Sequence, residues 1–254
     1  MFTSDKFEDF LDIQSRYHRK ISNDFMVPAE IKKRFERGML SFSADERALF
    51  MFEQREGFFK LYFRLIDDGA KLPPHDGTLA SFLTYREGRY PEAAADWLRG
   101  QGFDYSKTLR RHTASRIIGE ISNDGVVNAP ADEVYSMLGV CFSVVEADLP
   151  PRELFVEADS YCMRSPSGDL LGIVYDMGHT RIVAVSQEAR GQGLGRRLYL
   201  AYASGKMKEN KDIVFHEWVS LENTASQSMF RAMGFEPGIT LSDCFVFGGS
   251  HPNS

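Results

Sequence analysis

The stretch from 180 to 195, Thr-Arg-Ile-Val-Ala-Val-Ser-Gln-Glu-Ala-Arg-Gly-Gln-Gly-Leu-Gly, constrains the fold more than any other part of the chain. Ile182, Val183 and Val185 form a β-branched run suited to a buried strand. Glycines at 191, 193 and 195 then open a turn, and Leu194, Leu198 and Tyr202 follow on one helical face. Strand, glycine-rich turn and helix start together make an anion site. The first helical turn leaves backbone N–H groups unpaired, and the macrodipole favours negative charge there. Arg190, Arg196 and Arg197 add cationic charge at the same end. Spacing excludes two common phosphate loops. A dinucleotide fingerprint begun at Gly191 needs glycine at 196, where Arg196 stands, and no Gly-Lys-Ser/Thr closes a P-loop. The expectation is a pyrophosphate cradle of another kind.

The pattern Arg190-x-x-Gly193-x-Gly195 after Val183-x-Val185 resembles the acetyl-CoA motif of the GCN5-related N-acetyltransferases, the GNAT superfamily. A second stretch follows at the family's distance: a strand over 212–218, then Asn223-Thr224-Ala225-Ser226, Phe230 and Gly234-Phe235. It is similar to the family's Asn-x-x-Ala/Ser-x-x-x-Phe/Tyr-x-x-x-Gly-Phe helix. Asn223 also suits an N-cap and Gly234 a left-handed helix stop. The resemblance implies an α+β fold on a mixed sheet, with acetyl-CoA as acetyl donor and no metal. It implies N-acetyl transfer by direct attack to a primary amine of a small molecule or peptide. Donor contacts carried over are Val183, Ala184, Val185, Arg190, Gly191, Gln192, Gly193, Leu194, Gly195, Arg196, Asn223 and Phe230. In the family the asparagine meets the pantetheine arm, and a bulge near the second valine turns N–H groups toward the thioester. A CoA-binding or catalytically silent regulatory module of the same fold is the alternative.

Acetyl transfer needs a neutral amine, a polarised thioester carbonyl and a leaving thiolate. An alkylamine of pKa near 10.4 is mostly protonated at pH 7, so a base is useful. His179, six residues before Val185, and Glu217, between His216 and Trp218, are the two candidates. His179 stands where histone-type members carry glutamate, and its ordinary pKa near 6.5 suits the task. Val185 backbone would polarise the carbonyl. The family often places a tyrosine four residues before the final Gly-Phe as acid for the thiolate; here that residue is Phe230.

Elsewhere the chain reads as an ordinary globular protein. Of 254 residues 43% are hydrophobic and 26% charged, and no apolar run is long enough to span a bilayer. The acidic, amphipathic start does not resemble a secretion signal. Cys141, Cys162 and Cys244 are scattered, with neither a disulfide framework nor metal-ligand spacing, as expected in a reducing cytoplasm. Residues 1–112 carry 19 basic and 18 acidic side chains, and 113–254 carry 11 and 18, making the second half acidic. That argues against a nucleic-acid surface and suits either a cationic amine acceptor or an acidic surface that only aids solubility.

Helices are expected over 6–21, 29–39, 91–101 (stopped by Gly102-Phe103), 130–143 and 152–158. Strands are expected over 48–54, 58–66, 79–86, 113–123, 160–164, 170–176 and 244–247. Tyr135, Phe142, Phe155 and Glu157 fall where the family lines its acceptor pocket. Gly102-Phe103 lies 132 positions before Gly234-Phe235, and each pair ends a helix with Arg99 or Arg231 in its last turn. This spacing predicts a duplicated fold. Residues 1–112 form a degenerate acetyltransferase-like half, 113–123 cross over, and 124–254 carry the activity. The first half lacks a glycine-rich cradle between 66 and 79, and Pro91 stands where Asn223 maps. One CoA per chain is expected; the oligomeric state is left open.

Overall fold

The computed structural model of the chain describes residues 2–17, 21–23, 26–120, 122–178 and 180–248. Elements begin with β1 (Phe2–Ser4), α1 (Phe7–Gln14), β2 (Ile21–Ser22), α2 (Pro28–Glu36) and β3 (Leu40–Ala44). Next come β4 (Ala48–Arg55), β5 (Phe58–Leu65), β6 (Leu79–Arg86), α3 (Glu92–Gly100) and β7 (Asp104–Ala114). Then follow β8 (Val126–Val127), α4 (Ala131–Cys141), α5 (Val144–Ala147), β9 (Ser160–Arg164), β10 (Leu170–Asp176) and β11 (Arg181–Val185). The last four are α6 (Leu194–Glu209), β12 (Phe215–Ser220), α7 (Thr224–Ala232) and β13 (Glu236–Phe247).

Three expectations are corrected and a strand is new. The helix expected over 6–21 stops at Gln14; Tyr17 is buried instead, its hydroxyl donating to the Asp45 carbonyl, and Ile21–Ser22 is strand. The Ser-rich strand β3 was not expected. The strand expected over 113–123 is β7, which starts at Asp104 and ends at Ala114; its charged, polar sequence hides it. The helix expected over 152–158 is two single 3₁₀ turns, Arg152–Leu154 and Glu157–Asp159.

The chain divides into two compact units, one holding the residues up to Thr108 with those from Thr240 on, the other Leu109–Ile239. In the first unit the strands run β1-β3-β4-β5-β6-β13-β7, with β2 added to β5. Trp97 of α3 anchors one face against Phe63 and Phe50 (ring centroids 4.7 and 5.8 Å) and donates to Ala70 O at 2.9 Å. Phe10, Ile31 and Phe35 of α1 and α2 cover Phe42, Leu49 and Met51 on the other.

In the second unit β11-β10-β9-β8 form an antiparallel sheet. α4 covers one face over Ile173, Tyr175, Ile182 and Ala184, and α6 covers the other through Leu198, Tyr199 and Tyr202. Gly172 admits this helix, because a Cβ there would sit 2.9 Å from Leu198 Cδ1 and 3.2 Å from Ala184 O. β12 pairs with the 109–114 part of β7. Among the described residues no ladder joins β11 to β12, so each presents an open edge within this unit.

The Gly-Phe spacing recurs in three dimensions. Gly102 and Gly234 both have φ +89°, where only glycine is at ease. Phe103 N donates to Leu98 O at 3.1 Å, and Phe235 N to Phe230 O at 3.0 Å. α7 starts as far after α3 as β13 starts after β7, and that distance equals the Gly102-to-Gly234 spacing.

Candidate active site

β11 is the spine of the site. Its pairing with β10 is regular from Arg181 to Val185, and Met177 N bonds Thr180 O while Ser186 N bonds Leu171 O. Antiparallel alternation then turns the backbone of Ile182 and Ala184 toward β10 and that of Arg181, Val183 and Val185 toward the open edge. The expected bulge near Val185 is therefore not in β11. The register shift lies on β10 between Leu170 and Gly172, in its pairing with β9, and Gly172 is the partner of Val185. Alternation alone turns the Val183 and Val185 N–H groups outward.

At the C-terminal end of β11 the chain makes a short 3₁₀ turn and then the glycine turn. Gly191 and Gly193 have φ +76° and +75°, and Gly193 is the N-cap of α6. A Cβ at either would meet nothing within 4 Å. These glycines are needed for their backbone and leave free space over the helix start, a shape that fits a pyrophosphate. Gly195 is buried, and a Cβ there would lie 3.3 Å from Met229 Sδ and 3.4 Å from Val185 Cγ2. It seats α6 against β11. Arg196 is exposed, as is Arg190, whose Nε donates to Val185 O at 3.3 Å. Gln192 Nε2 donates to Glu188 O at 3.1 Å, and Leu194 is half-buried.

Asn223 caps α7, its side chain accepting from Ser226 N at 2.9 Å, and is exposed. Phe230 is buried edge-on against Tyr199 (5.2 Å) and beside Phe235 (5.1 Å). A hydroxyl is present nearby on Tyr199, fully buried and donating to Glu217 Oε1. Burial, and then Glu217, push the Tyr199 hydroxyl far above its ordinary value.

The other end of the β11–β12 gap is bridged by charge. Arg181 Nε donates to Tyr202 OH at 2.6 Å and lies 3.5 Å from Asp176 and 3.7 Å from Glu217; Nη1 donates to His216 O at 3.4 Å. Lys206 reaches Asp176 at 3.2 Å. Glu217, 2% exposed, points to the α6 face with Phe215 and Val219. Burial pushes its carboxyl up to about 7, against the opposing pull of Arg181 and the Tyr199 hydroxyl. His216 and Trp218 point to the other face by alternation. His216 is exposed, its Nδ1 is 3.1 Å from Thr113 Oγ1, and partial burial with Arg111 and Arg181 holds it below 6.5. His179 lies outside the described residues.

Three features escaped the sequence reading. Arg181 had no motif to mark it. Cys141 Sγ donates to Val185 O at 3.8 Å, bringing the end of α4 to the gap. The Ser186 hydroxyl is buried with no hydrogen-bond partner among the described residues. Of the acceptor candidates, Tyr135 of α4 meets Phe155 in a tilted ring contact (5.9 Å) and its OH donates to Pro150 O at 2.9 Å, while Phe155 stacks on Tyr175 (4.7 Å). Phe142 is half-buried and Glu157 exposed. Among the described residues no group of three or more His, Cys, Asp or Glu could hold a metal ion, and no helix is long and apolar enough to cross a membrane.

The comparisons with known proteins place a name on this arrangement. The family model described as acetyltransferase (GNAT) domain matches residues 152–237, which span β9 to α7 and contain both motifs. It is the GNAT acetyltransferase domain that these residues match. Solved structures share the fold at low identity. A GCN5-related N-acetyltransferase of Sphaerobacter thermophilus is 11% identical over 88% of this chain and 86% of its own, with TM-score 0.56. A GNAT-family acetyltransferase of Colwellia psychrerythraea is 10% identical over 97% and 98%, at 0.52. A GCN5-related N-acetyltransferase of Kribbella flavida is 16% identical over 90% and 98%, at 0.51. No curated protein matches the chain in sequence. The chain thus shares the GNAT fold as a mixed α/β structure, and residues 152–237 are similar to an acetyltransferase domain.

Proposed function

We propose that the chain transfers an acetyl group from acetyl-CoA to a primary amine of a small molecule or peptide, by direct attack, in the cytoplasm. The observation that carries the reading is the open edge of β11 running into an unobstructed glycine turn at the start of α6. Acetyl-CoA supplies the activated thioester. Backbone N–H groups at 191–195, with Arg190 and Arg196, would hold its phosphates. Val183 and Val185 offer outward N–H groups to the arm, and Asn223 is exposed at the start of α7. Five strand residues span about 16 Å, so an extended arm anchored at the turn ends near Arg181 and His216.

That end holds the groups able to manage the proton. Glu217 is enclosed on the helix face, so its part is to set charge and hold Arg181 across the gap. His216 is exposed on the opposite face and ordinarily neutral at pH 7, as a base must be. His179 is the other candidate for direct contact. Outward N–H groups of β11 would stabilise the oxyanion. Lack of a hydroxyl at Phe230 leaves the thiolate, of ordinary pKa about 8.5, to depart without a dedicated acid. The second reading, a CoA-binding regulatory module without turnover, draws its support from that residue.

The test is calorimetric titration with acetyl-CoA followed by thiol release against a panel of amines. Binding with amine-dependent release supports the enzyme. Binding without release from any amine favours the regulatory reading, and no binding overturns both.

A further inference from the structure

The two units are built on one plan, and a comparison between them shows what became of the first unit's groove. β3-β4-β5 in the first unit and β9-β10-β11 in the second are antiparallel meanders, each preceded by helices; β5 leads directly, and β11 by way of α6, to a strand, the Gly-Phe helix and a further strand. β5 therefore corresponds to β11 and β6 to β12. In the second unit, among the described residues, β11 and β12 are not paired with each other. In the first, β6 meets β5 in parallel only at Phe59↔Leu79 and Lys60↔Ala80, then parts from it.

That gap is filled by the chain itself. One edge of β5 is taken by β4 from Phe58 to Leu65. On the other edge β2 pairs Ile21↔Leu65 and Ser22↔Arg64, beyond the point where β6 leaves. Asn23, 3% exposed, continues the closure. Its N–H donates to Phe63 O at 3.3 Å and its Oδ1 accepts from Phe63 N at 2.7 Å. Its Nδ2 donates to Leu61 O at 2.9 Å and to Ser81 Oγ at 2.8 Å, and Ser81 in turn donates to Leu61 O at 3.2 Å. One side-chain amide thus ties both walls of the gap together, with its hydrogen-bonding capacity directed at β5 and β6.

We propose that the first unit is a closed copy of the second unit's groove, in which residues 21–23 occupy the place of an extended, amide-bearing ligand. The segment offers what such a ligand would: extended backbone to pair with β5 and an amide to bridge to β6. The ground beyond it is also reversed in charge. Where the second unit has Arg190, Arg196 and Arg197 on a glycine turn, the first leaves β5 through Ile66, Asp67 and Asp68. The cavity of about 640 Å³ at that end is lined by Ile21, Asp67, Asp68, Lys71, Asp96 and Trp97 among others. Such a surface repels a pyrophosphate.

Hydrogen exchange on the whole chain, read by mass spectrometry with and without CoA, tests this directly. Amides of 61–65 should be protected before any ligand is added. CoA should add protection only around 183–197, with calorimetry saturating at one equivalent. Asn23→Ala should speed exchange at 61–65 by about tenfold or more, while exchange over α6 stays as in the parent chain. Ser81→Ala, which removes a single hydroxyl, should give a smaller increase at the same amides and guards against a variant that fails to fold. Two equivalents of CoA with new protection at 58–66, or unchanged exchange at 61–65 in both variants, would overturn the proposal. The exchange data without CoA stand apart from the donor-site reading: a chain that binds no CoA sinks that reading and leaves the closure to be judged on Asn23→Ala alone.

Discussion

Gly193 carries two demands at once, a left-handed backbone and an empty space beside it. Gly193→Asp meets neither. Its φ costs about 1–2 kcal/mol for an L-residue, and the carboxylate faces the anion site. The expected outcome is a chain that still folds, with Tm lowered by a few degrees, and no calorimetric signal with CoA; full affinity would remove the cradle from its proposed role. Glu217 makes a prediction of another kind. Its raised pKa means the folded state holds the proton more tightly than the unfolded chain, whose value is near 4.5. Its contribution to stability is then complete below about pH 4.5 and is lost as pH rises through about 7. At about 1.4 kcal/mol per pH unit the full loss is roughly 3–4 kcal/mol. Chemical denaturation from pH 5 to 8 should show that decline in the parent chain and a flatter curve in Glu217→Gln; parallel curves would show an unshifted carboxyl. The pH–rate profile separates the bases, since His216→Gln removes an acid limb below pH 6.5 if His216 takes the proton, and leaves it in place if His179 does.

At the scale of elements, what could be read from sequence followed from how local the signal was. β11, the glycine turn and α6 were legible because β-branched strand, glycine and helical spacing are written within twenty consecutive residues. α7 was legible through Asn223 and Gly234, and both act as caps. β7 and β3 were not, since Asp104–Arg111 is charged and polar and β3 is short and rich in serine; only their neighbours in the sheet make them strands. The partners of Glu217 were equally hidden, because Arg181, Tyr199 and Tyr202 come together through tertiary packing of α6 on β11 and β12. Asn223 allows the cap to be weighed against the ligand. Asn223→Ala should cost about 1 kcal/mol by loss of the Ser226 N–H bond, and Asn223→Ser should restore most of it. If Asn223 also meets the pantetheine arm, acetyl-CoA affinity stays low in Asn223→Ser although stability returns. If affinity returns with stability, Asn223 is a cap and nothing more.

At the scale of the whole molecule, the last described strand has a consequence for how the protein is made. β13 pairs with β6 over eight residues, Leu79 to Arg86 against Phe247 to Thr240, and buries Phe245 in the first unit's core. Thr84 and Ser242, hydrogen-bonded there at 3.2 Å, are 158 residues apart in the chain. During synthesis at about 5–20 residues per second, β6 has emerged roughly 8–30 s before its partner exists. Throughout that interval its edge is bare, the condition under which strands pair with the wrong chain. The unit that is translated first is thus completed last, and a nascent chain stalled before residue 240 should be cut readily by protease within 79–108. Adding a synthetic peptide covering 236–248 in trans should slow that cleavage. The ribosome's order of delivery and the order in which this protein can become stable run in opposite directions, which makes its yield in a cell depend on whatever shields one strand for half a minute.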